Sequence, residues 1–577
     1  MNGIFSTINS LSNLKLSTAK FRLVCYSILT GILTGIIVVL YRISLDKVIK
    51  FRNIFQAEKS MAVKLFLIIF LFFITYIIQK LVFKNKNTKF FIAIYIFEII
   101  YSISFILLTS NIIILALIIL SGILIQLMLN FMPLISGSGI PQVMGLIQQK
   151  LKFNWFYELI LKFFGGVLSI FSGLSLGREG PSIHLGALVA DGINKVTKRN
   201  EIERKYLVTS GAAAGLSAAF NAPLAGTIFV LEELHKFFSP LMLICAILAS
   251  ISANLVSILI LGEETAFINF KQLTPVSPTI KGILFELVLI LFLSIVMVIF
   301  GKIFNISLLK FQEIYKRIEV NKYIKMIIAL FISYIVIILL PDITGGGNLL
   351  IEKLLTVSVT TKILLILLLF KFLFTMFSYS TGAPGGIFLP MLVIGALIGR
   401  LFGIMVVNIF NMPQTFIVHY MLIAMAAYFT AIVRAPITGI ILILEMTGNF
   451  SNLFSLTIVS ALTFIISELM KFESVYEELF SNMFRTNKNI EEDMNEKMTA
   501  IKIPVITNSK IVNKKIMDIK WPTNLLVIGI ERNNSEFIPK GDTLILDGDK
   551  LIVFTDIATA VLELEEILDM SIRENMK

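Results

Sequence analysis

The residues best suited to chemistry lie in three short motifs: Gly137-Ser138-Gly139-Ile140-Pro141, Gly177-Arg178-Glu179-Gly180-Pro181 and Gly386-Ile387-Phe388-Leu389-Pro390. Each can open a helix, because a proline in the first turn gives up an N–H that has no partner there in any case. The glycines let another chain or an ion approach the backbone closely. The first N–H groups of a helix lack internal partners and sit at the positive end of its dipole, so they attract anions. Three such starts meeting inside one molecule would hold a small anion without a full positive charge, and a weakly held ion can leave again. Taken singly, each motif reads equally well as glycine-mediated helix packing. Three in one chain favour the anion.

Around these motifs stand a few ionisable residues in apolar sequence. Glu179 is a carboxylate in what reads as hydrocarbon-embedded sequence, which points to function unless a salt bridge to Arg178 absorbs it. Lys162, in Leu161-Lys162-Phe163-Phe164-Gly165-Gly166, either raises the potential for an anion or snorkels from a span end. Gly173-Leu174-Ser175-Leu176-Gly177 matches a nucleophile-elbow pattern but lacks its strand–turn–helix setting. Three histidines and two cysteines, Cys25 and Cys245, build no metal or disulfide framework. Enzymatic chemistry and a cofactor are therefore not expected.

The elements that must position these residues are membrane helices. Of 577 residues, 56% are hydrophobic and 15% charged, with mean hydropathy +0.88. Soluble domains carry about 25% charged residues. The net charge of +12 comes from Lys and Arg between apolar runs, where topology and anionic lipid account for it and nucleic acid need not be invoked. Twelve apolar segments recur from 23–44 to 454–470, among them 61–82, 90–109 and 282–305. Several are broken by Gly and Pro, which lipid tolerates only where protein or an aqueous cavity covers the backbone.

The apolar region repeats itself. Residues 217–233 align without gaps on 430–446 at an offset of 213, and 177–189 align on 386–398 at 209. Glu232 pairs with Glu445 and reads as a structural carboxylate common to both halves. Glu233 pairs with Met446, so its charge suggests a task peculiar to the first half, unless it is a second solvated charge before His235. Arg434 stands where the first half has Asn221. Midplane sites built from broken helices favour an inverted repeat. Residues 1–22 are expected to be a cytosolic lead, 23–480 the membrane domain with halves near 23–265 and 280–480, and 481–498 a charged linker. The tail 499–577 reads as a small α+β domain, with strands in 524–532 and 537–554 and an amphipathic helix over 556–570.

The three motifs in this order, with LKFFGG at 161–166 and AAFNAPLAGTIFVLEE at 218–233, resemble the CLC family of chloride channels and chloride/proton antiporters over roughly residues 20–480. The resemblance implies two inverted halves of tilted, broken helices in a homodimer, each subunit embedded in lipid and carrying its own pathway. It implies a central chloride held by Ser138 and Tyr476 hydroxyls and by the amides of Ile387 and Phe388. Amides of Arg178, Glu179 and Gly180 would line an outer site. Glu179 would be the gate, its ionised carboxylate taking an anion site and its protonated form carrying a proton. Glu233 would be the inner proton acceptor. Exchange of chloride for protons is the expected activity, with a passive voltage- or ligand-gated channel as the alternative on the same fold. Gln142 replaces the family's frequent Glu. Ser138 points to chloride, since fluoride exporters depart from this serine pattern and nitrate-preferring members carry proline there. The tail resembles the regulatory TrkA-C (RCK-C) domain, which implies a dimerising cytosolic sensor of a small molecule.

Overall fold

The computed structural model describes residues 2–57, 110–236, 238–262, 280–357, 359–471, 473–485, 498–505, 511–519, 521, 525–532 and 535–556. The apolar segments 61–82 and 90–109 and the expected tail helix lie outside these residues. The described chain forms two compact units, Met1–Leu479 and Phe480–Lys577.

The first unit is helical. In order, α1 is Asn2–Ala57, α2 Ser110–Phe131, α3 Ile140–Ile147, α4 Trp155–Phe171, α5 Glu179–Thr197, α6 Glu201–Phe220, α7 Pro223–Phe229, α8 Pro240–Leu261 and α9 Ile280–Arg317. Then come α10 Lys322–Leu339, α11 Asn348–Thr356, α12 Thr361–Ser380, α13 Phe388–Phe410, α14 Thr415–Val433, α15 Pro436–Thr447, α16 Leu453–Leu469 and α17 Val475–Arg485, the last running past the boundary at Leu479. Among the described residues nine helices are long and apolar enough to cross a membrane. α1 continues through both the expected lead and the apolar segment 23–44. At 38 residues, α9 also exceeds its apolar segment and runs about 57 Å, nearly twice the hydrocarbon thickness. α17 continues to Arg485, into the segment expected as linker.

Apolar side chains on α9 such as Leu284, Val288, Leu291, Ile295 and Ile299 are exposed at helical spacing, the face lipid would cover. Small residues let helices touch elsewhere. Gly186 and Gly211 bring α5 and α6 so close that a β-carbon on either would overlap the other's backbone.

The two halves are related by a local two-fold axis, as the inverted repeat of this fold requires, and one contact marks it. Gly177 and Gly386 are equivalent in the repeat, and they pair antiparallel through Gly177 N–H to Gly386 O at 2.7 Å and the reverse at 2.8 Å. A residue that pairs antiparallel with its own repeat mate lies on a two-fold axis relating the halves.

The second unit holds a four-stranded antiparallel sheet in the order β1-β4-β2-β3, from β1 Met498–Pro504, β2 Leu525–Arg532, β3 Ser535–Phe537 and β4 Lys550–Asp556. β2 and β4 fall in the expected stretches; β1 was not foreseen. Val505, Ile511, Ile530, Ile545, Leu551 and Val553 form its core. Burial pushes the Asp549 carboxyl up, but bonds from the Arg532 guanidinium and the Leu546 N–H outweigh it and hold Asp549 below the ordinary range.

Candidate ion-binding site

The three motifs converge on the inverted contact. Gly180 packs on Ser138 so closely that a β-carbon there would lie 2.8 Å from Ser138 Cβ, and one on Gly386 would lie 3.1 Å from Gly180 N. Gly137 N–H donates to Gly382 O at 3.2 Å, and Gly385 N–H to Gly137 O at 2.9 Å. Ser138, Gly180, Ile387 and Phe388 thus share one buried locus, and Arg178 caps α5 beside it. Ile387 caps α13, with Phe388 and Leu389 in its first turn, where N–H groups have no intrahelical acceptor.

Glu179 is fully buried at this locus. Its Oε2 faces Gly177, where a β-carbon would overlap it. The N–H groups of Glu179 itself and Leu389 lie beside the carboxylate, yet neither oxygen makes a hydrogen bond of normal geometry. A carboxylate therefore sits between the starts of α5 and α13, where helix dipoles favour negative charge. The salt-bridge alternative is not what forms: Arg178 faces Asp46, Nη1 to Oδ1 at 3.9 Å.

Tyr476 is buried on the other side of the phenyl cluster. Its ring stands edge-on to Phe229 with centroids 6.4 Å apart, and Phe229 stands edge-on to Phe388 at 5.7 Å. Among the described residues the Tyr476 hydroxyl has no hydrogen-bond partner. The sequence reading missed Tyr379, whose hydroxyl donates to Ser138 Oγ at 3.5 Å. Nothing in its neighbourhood, Phe377-Ser378-Tyr379-Ser380, marks it out from an ordinary span end.

Lys162 does not snorkel. It is fully buried, and its ammonium donates to Ile135 O at 2.8 Å and Gly137 O at 2.7 Å, bracing the loop that ends in Ser138. Lys371, 209 residues further on, is equally buried and donates to Ile343 O at 3.0 Å and Gly345 O at 2.9 Å. Applying the repeat offset to Lys162 would have found it. Gln142 Nε2 donates to Ser136 O at 2.8 Å. Arg434 and Asn221 both cap helices in the left-handed conformation, and Arg434 pairs with Glu468 and lies over Phe464. Ser175 bonds Thr375 at 2.8 Å with no histidine, so the elbow pattern is structural.

Glu232 and Glu445 make the same contact in opposite directions. Glu232 accepts from Ile437 N–H at 3.1 Å and from Thr438 N–H at 2.8 Å, at the start of α15. Glu445 accepts from Leu224 N–H at 3.1 Å and Ala225 N–H at 2.7 Å, at the start of α7. Each half caps a helix of the other. Glu233 is not solvated: it is buried and accepts a hydrogen bond from the Ser474 hydroxyl. It lies in a π-helical turn, Val230–His235, that extends α7; such turns concentrate at functional sites.

A family model described as voltage gated chloride channel matches residues 117–468. The chain belongs to that family. A second model, the TrkA-C domain, matches residues 501–569. Within the chloride channel family, the chain is 33% identical over 378 residues to a protein of Vibrio parahaemolyticus named H(+)/Cl(-) exchange transporter ClcA, covering 64% of this chain and 79% of that one. The protein of the same name in Vibrio campbellii is 34% identical over 374 residues, covering 64% and 78%. The fold matches a slow cyanobacterial Cl-/H+ antiporter with TM-score 0.66 at 23% identity, over 81% of this chain and 99% of the other. A CLC-type fluoride/proton antiporter matches at 0.57 and 22%, over 79% and 97%. This family member is a multi-pass membrane protein with a TrkA-C domain of a typically cytoplasmic kind.

Proposed function

We propose that this chain exchanges chloride for protons across the membrane, two copies pairing as a dimer with one pathway each. Chloride rests centrally on the Ser138 and Tyr476 hydroxyls and the amides of Ile387 and Phe388, and externally on the amides of Arg178, Glu179 and Gly180. The observation that carries this reading is Glu179, a fully buried carboxylate between two helix starts whose oxygens make no hydrogen bond of normal geometry among the described residues. A chloride ion suits the same surroundings, so carboxylate and anion compete for them. Protonation removes the carboxylate's charge, frees it to leave, and makes it a proton carrier. Glu233 accepts the proton from the opposite side. Relatives about one third identical and named for H+/Cl- exchange support the pairing of ions. The membrane domain, residues 23–480, does the transport, and residues 499–577 regulate it in response to a small molecule.

Purified protein in liposomes tests the reading, with chloride and proton movement followed together. Wild type should take up protons against their gradient when driven only by chloride. Glu179→Gln, which cannot ionise, should pass chloride without protons. Ser138→Pro should shift preference toward nitrate. Wild-type chloride flux with no proton uptake would establish the passive channel instead, and a preference for fluoride would refute the substrate.

A further inference from the structure

Ser474 stands between two residues with assigned tasks. Its hydroxyl donates to Glu233 Oε1, and its oxygen accepts the N–H of Tyr476 at 3.3 Å. All three residues are buried. The preceding carbonyl, Glu473 O, is held by Asn305 Nδ2 at 3.3 Å, and the same amide reaches Ile432 O at 3.4 Å. The start of α17 is therefore anchored on one side to α9 and α14, and on the other to the π-turn that carries Glu233. Lys236 and Glu477, two further charged neighbours of Glu233, pair with each other.

A serine hydroxyl has one hydrogen to give and two lone pairs to receive with. With Glu233 ionised, both contacts are satisfied: hydrogen to the carboxylate, lone pair to the Tyr476 N–H. A protonated Glu233 can itself donate, and then the Ser474 hydrogen must turn elsewhere in a buried setting, where an unmatched polar hydrogen is unfavourable. The Tyr476–Phe229 ring contact has no alternative hydrogen-bonding state, and the Lys236–Glu477 pair meets Glu233 only through its field. Of these contacts, Ser474 is the one that touches both the Glu233 carboxylate and the Tyr476 N–H.

We propose that Ser474 is the positioning residue that passes the protonation state of Glu233 to Tyr476, and so ties proton binding to the hold on chloride. This rests on Glu233 as proton acceptor and Tyr476 as anion ligand. The link fits a shift between two hydrogen-bonding arrangements of one hydroxyl, which moves the N–H that begins the tyrosine's turn. A proline, valine or alanine at this position could not supply it.

The test uses the full chain in liposomes and reads the ratio of protons to chloride transported. Ser474→Ala should lower that ratio at least about five-fold, the lower end of usual coupling between sites, with a smaller change in chloride flux. Ser474→Thr, which keeps the hydroxyl, should restore the ratio to within about two-fold of wild type. A purely structural serine would instead lower both fluxes together and leave the ratio alone, and that result overturns the proposal. So does a ratio that stays low in Ser474→Thr. Should Ser474→Ala yield no folded protein, Ser474→Cys keeps the size with only a weak donor and acceptor and is read the same way. Glu233→Gln separates the two layers. Proton uptake persisting there refutes Glu233 as acceptor and this link with it. Uptake lost there, with an unchanged ratio in Ser474→Ala, refutes the Ser474 link alone.

Discussion

Residues 217–233 and 430–446 invite direct comparison, since they occupy equivalent places in the two inverted halves. Both run from a left-handed cap, Asn221 or Arg434, through Ala-Pro into a short helix, and both place a glutamate on the other's first turn. They part in the last turn. α15 stays α-helical to Thr447, whereas α7 passes into the π-turn Val230–His235. There Glu233 is buried against Ser474, while its counterpart Met446 is a buried apolar side chain. The symmetric part of the pattern holds the halves together. The difference falls in the one turn where the ladder is irregular, which confines a new charge without disturbing the clamp beside it.

Four substitutions probe that contrast. Glu233→Met makes the first half like the second, and proton uptake in liposomes should fall at least about ten-fold, in keeping with loss of a positioned proton-transfer group. Met446→Glu should create no uptake. If Glu233→Met retains uptake, the asymmetry is not functional. Glu232→Ala and Glu445→Ala should each cost about 1–3 kcal/mol, because two backbone N–H groups at a helix start lose a charged acceptor. Thermal unfolding in detergent should show a loss for both, the larger in Glu232→Ala, and protein that survives should keep its proton-to-chloride ratio. A clear loss of coupling in Glu232→Ala would mean this carboxylate is not merely a clamp.

Lys162→Met and Lys371→Met should each cost about 2–4 kcal/mol by leaving two buried carbonyls without a donor. Only the first should also weaken chloride binding by calorimetry, since Lys162 braces Gly137 next to Ser138. Equal effects on chloride would show that both halves support the ion. The smallest effect belongs to Thr438→Val. Glu232 takes a third bond from the Thr438 hydroxyl at 2.7 Å, and the equivalent Ala225 offers none. Losing it should cost about 1 kcal/mol and bring the two clamps level in unfolding temperature.

Much of this was legible in the residues. The Ala-Pro and Leu-Glu anchors exposed the repeat, and the mismatch of Glu233 with Met446 separated two adjacent glutamates that composition alone treats alike. Inversion was favoured but not readable, because identity carries no direction; the two-fold relation of the halves appears only in the Gly177–Gly386 pairing. The reciprocity of Glu232 and Glu445 was hidden for the same reason: a sequence names a carboxylate but not the helix start it faces. The π-turn has no residue signature, since Val230–His235 is as helix-compatible as Ile443–Gly448. Tyr379 was missed because it closes an ordinary apolar span. Ser474 was missed because one serine before a helix reads first as a cap, and its second bond depends on an element some 240 residues away.

The crossed carboxylate clamps also set a schedule for making the protein. When residues 217–233 enter the membrane, the acceptor for Leu224 and Ala225 lies 220 to 221 residues further along the chain and the donors for Glu232 lie 205 to 206 residues further, all still to be synthesised. At about 5–20 residues per second that gap is roughly 10–40 s. Throughout it the first half carries a carboxylate and two backbone N–H groups without their final partners in or near lipid, where each is costly. Neither clamp can close within one half, so completion of α15 is the earliest point in synthesis at which both can form.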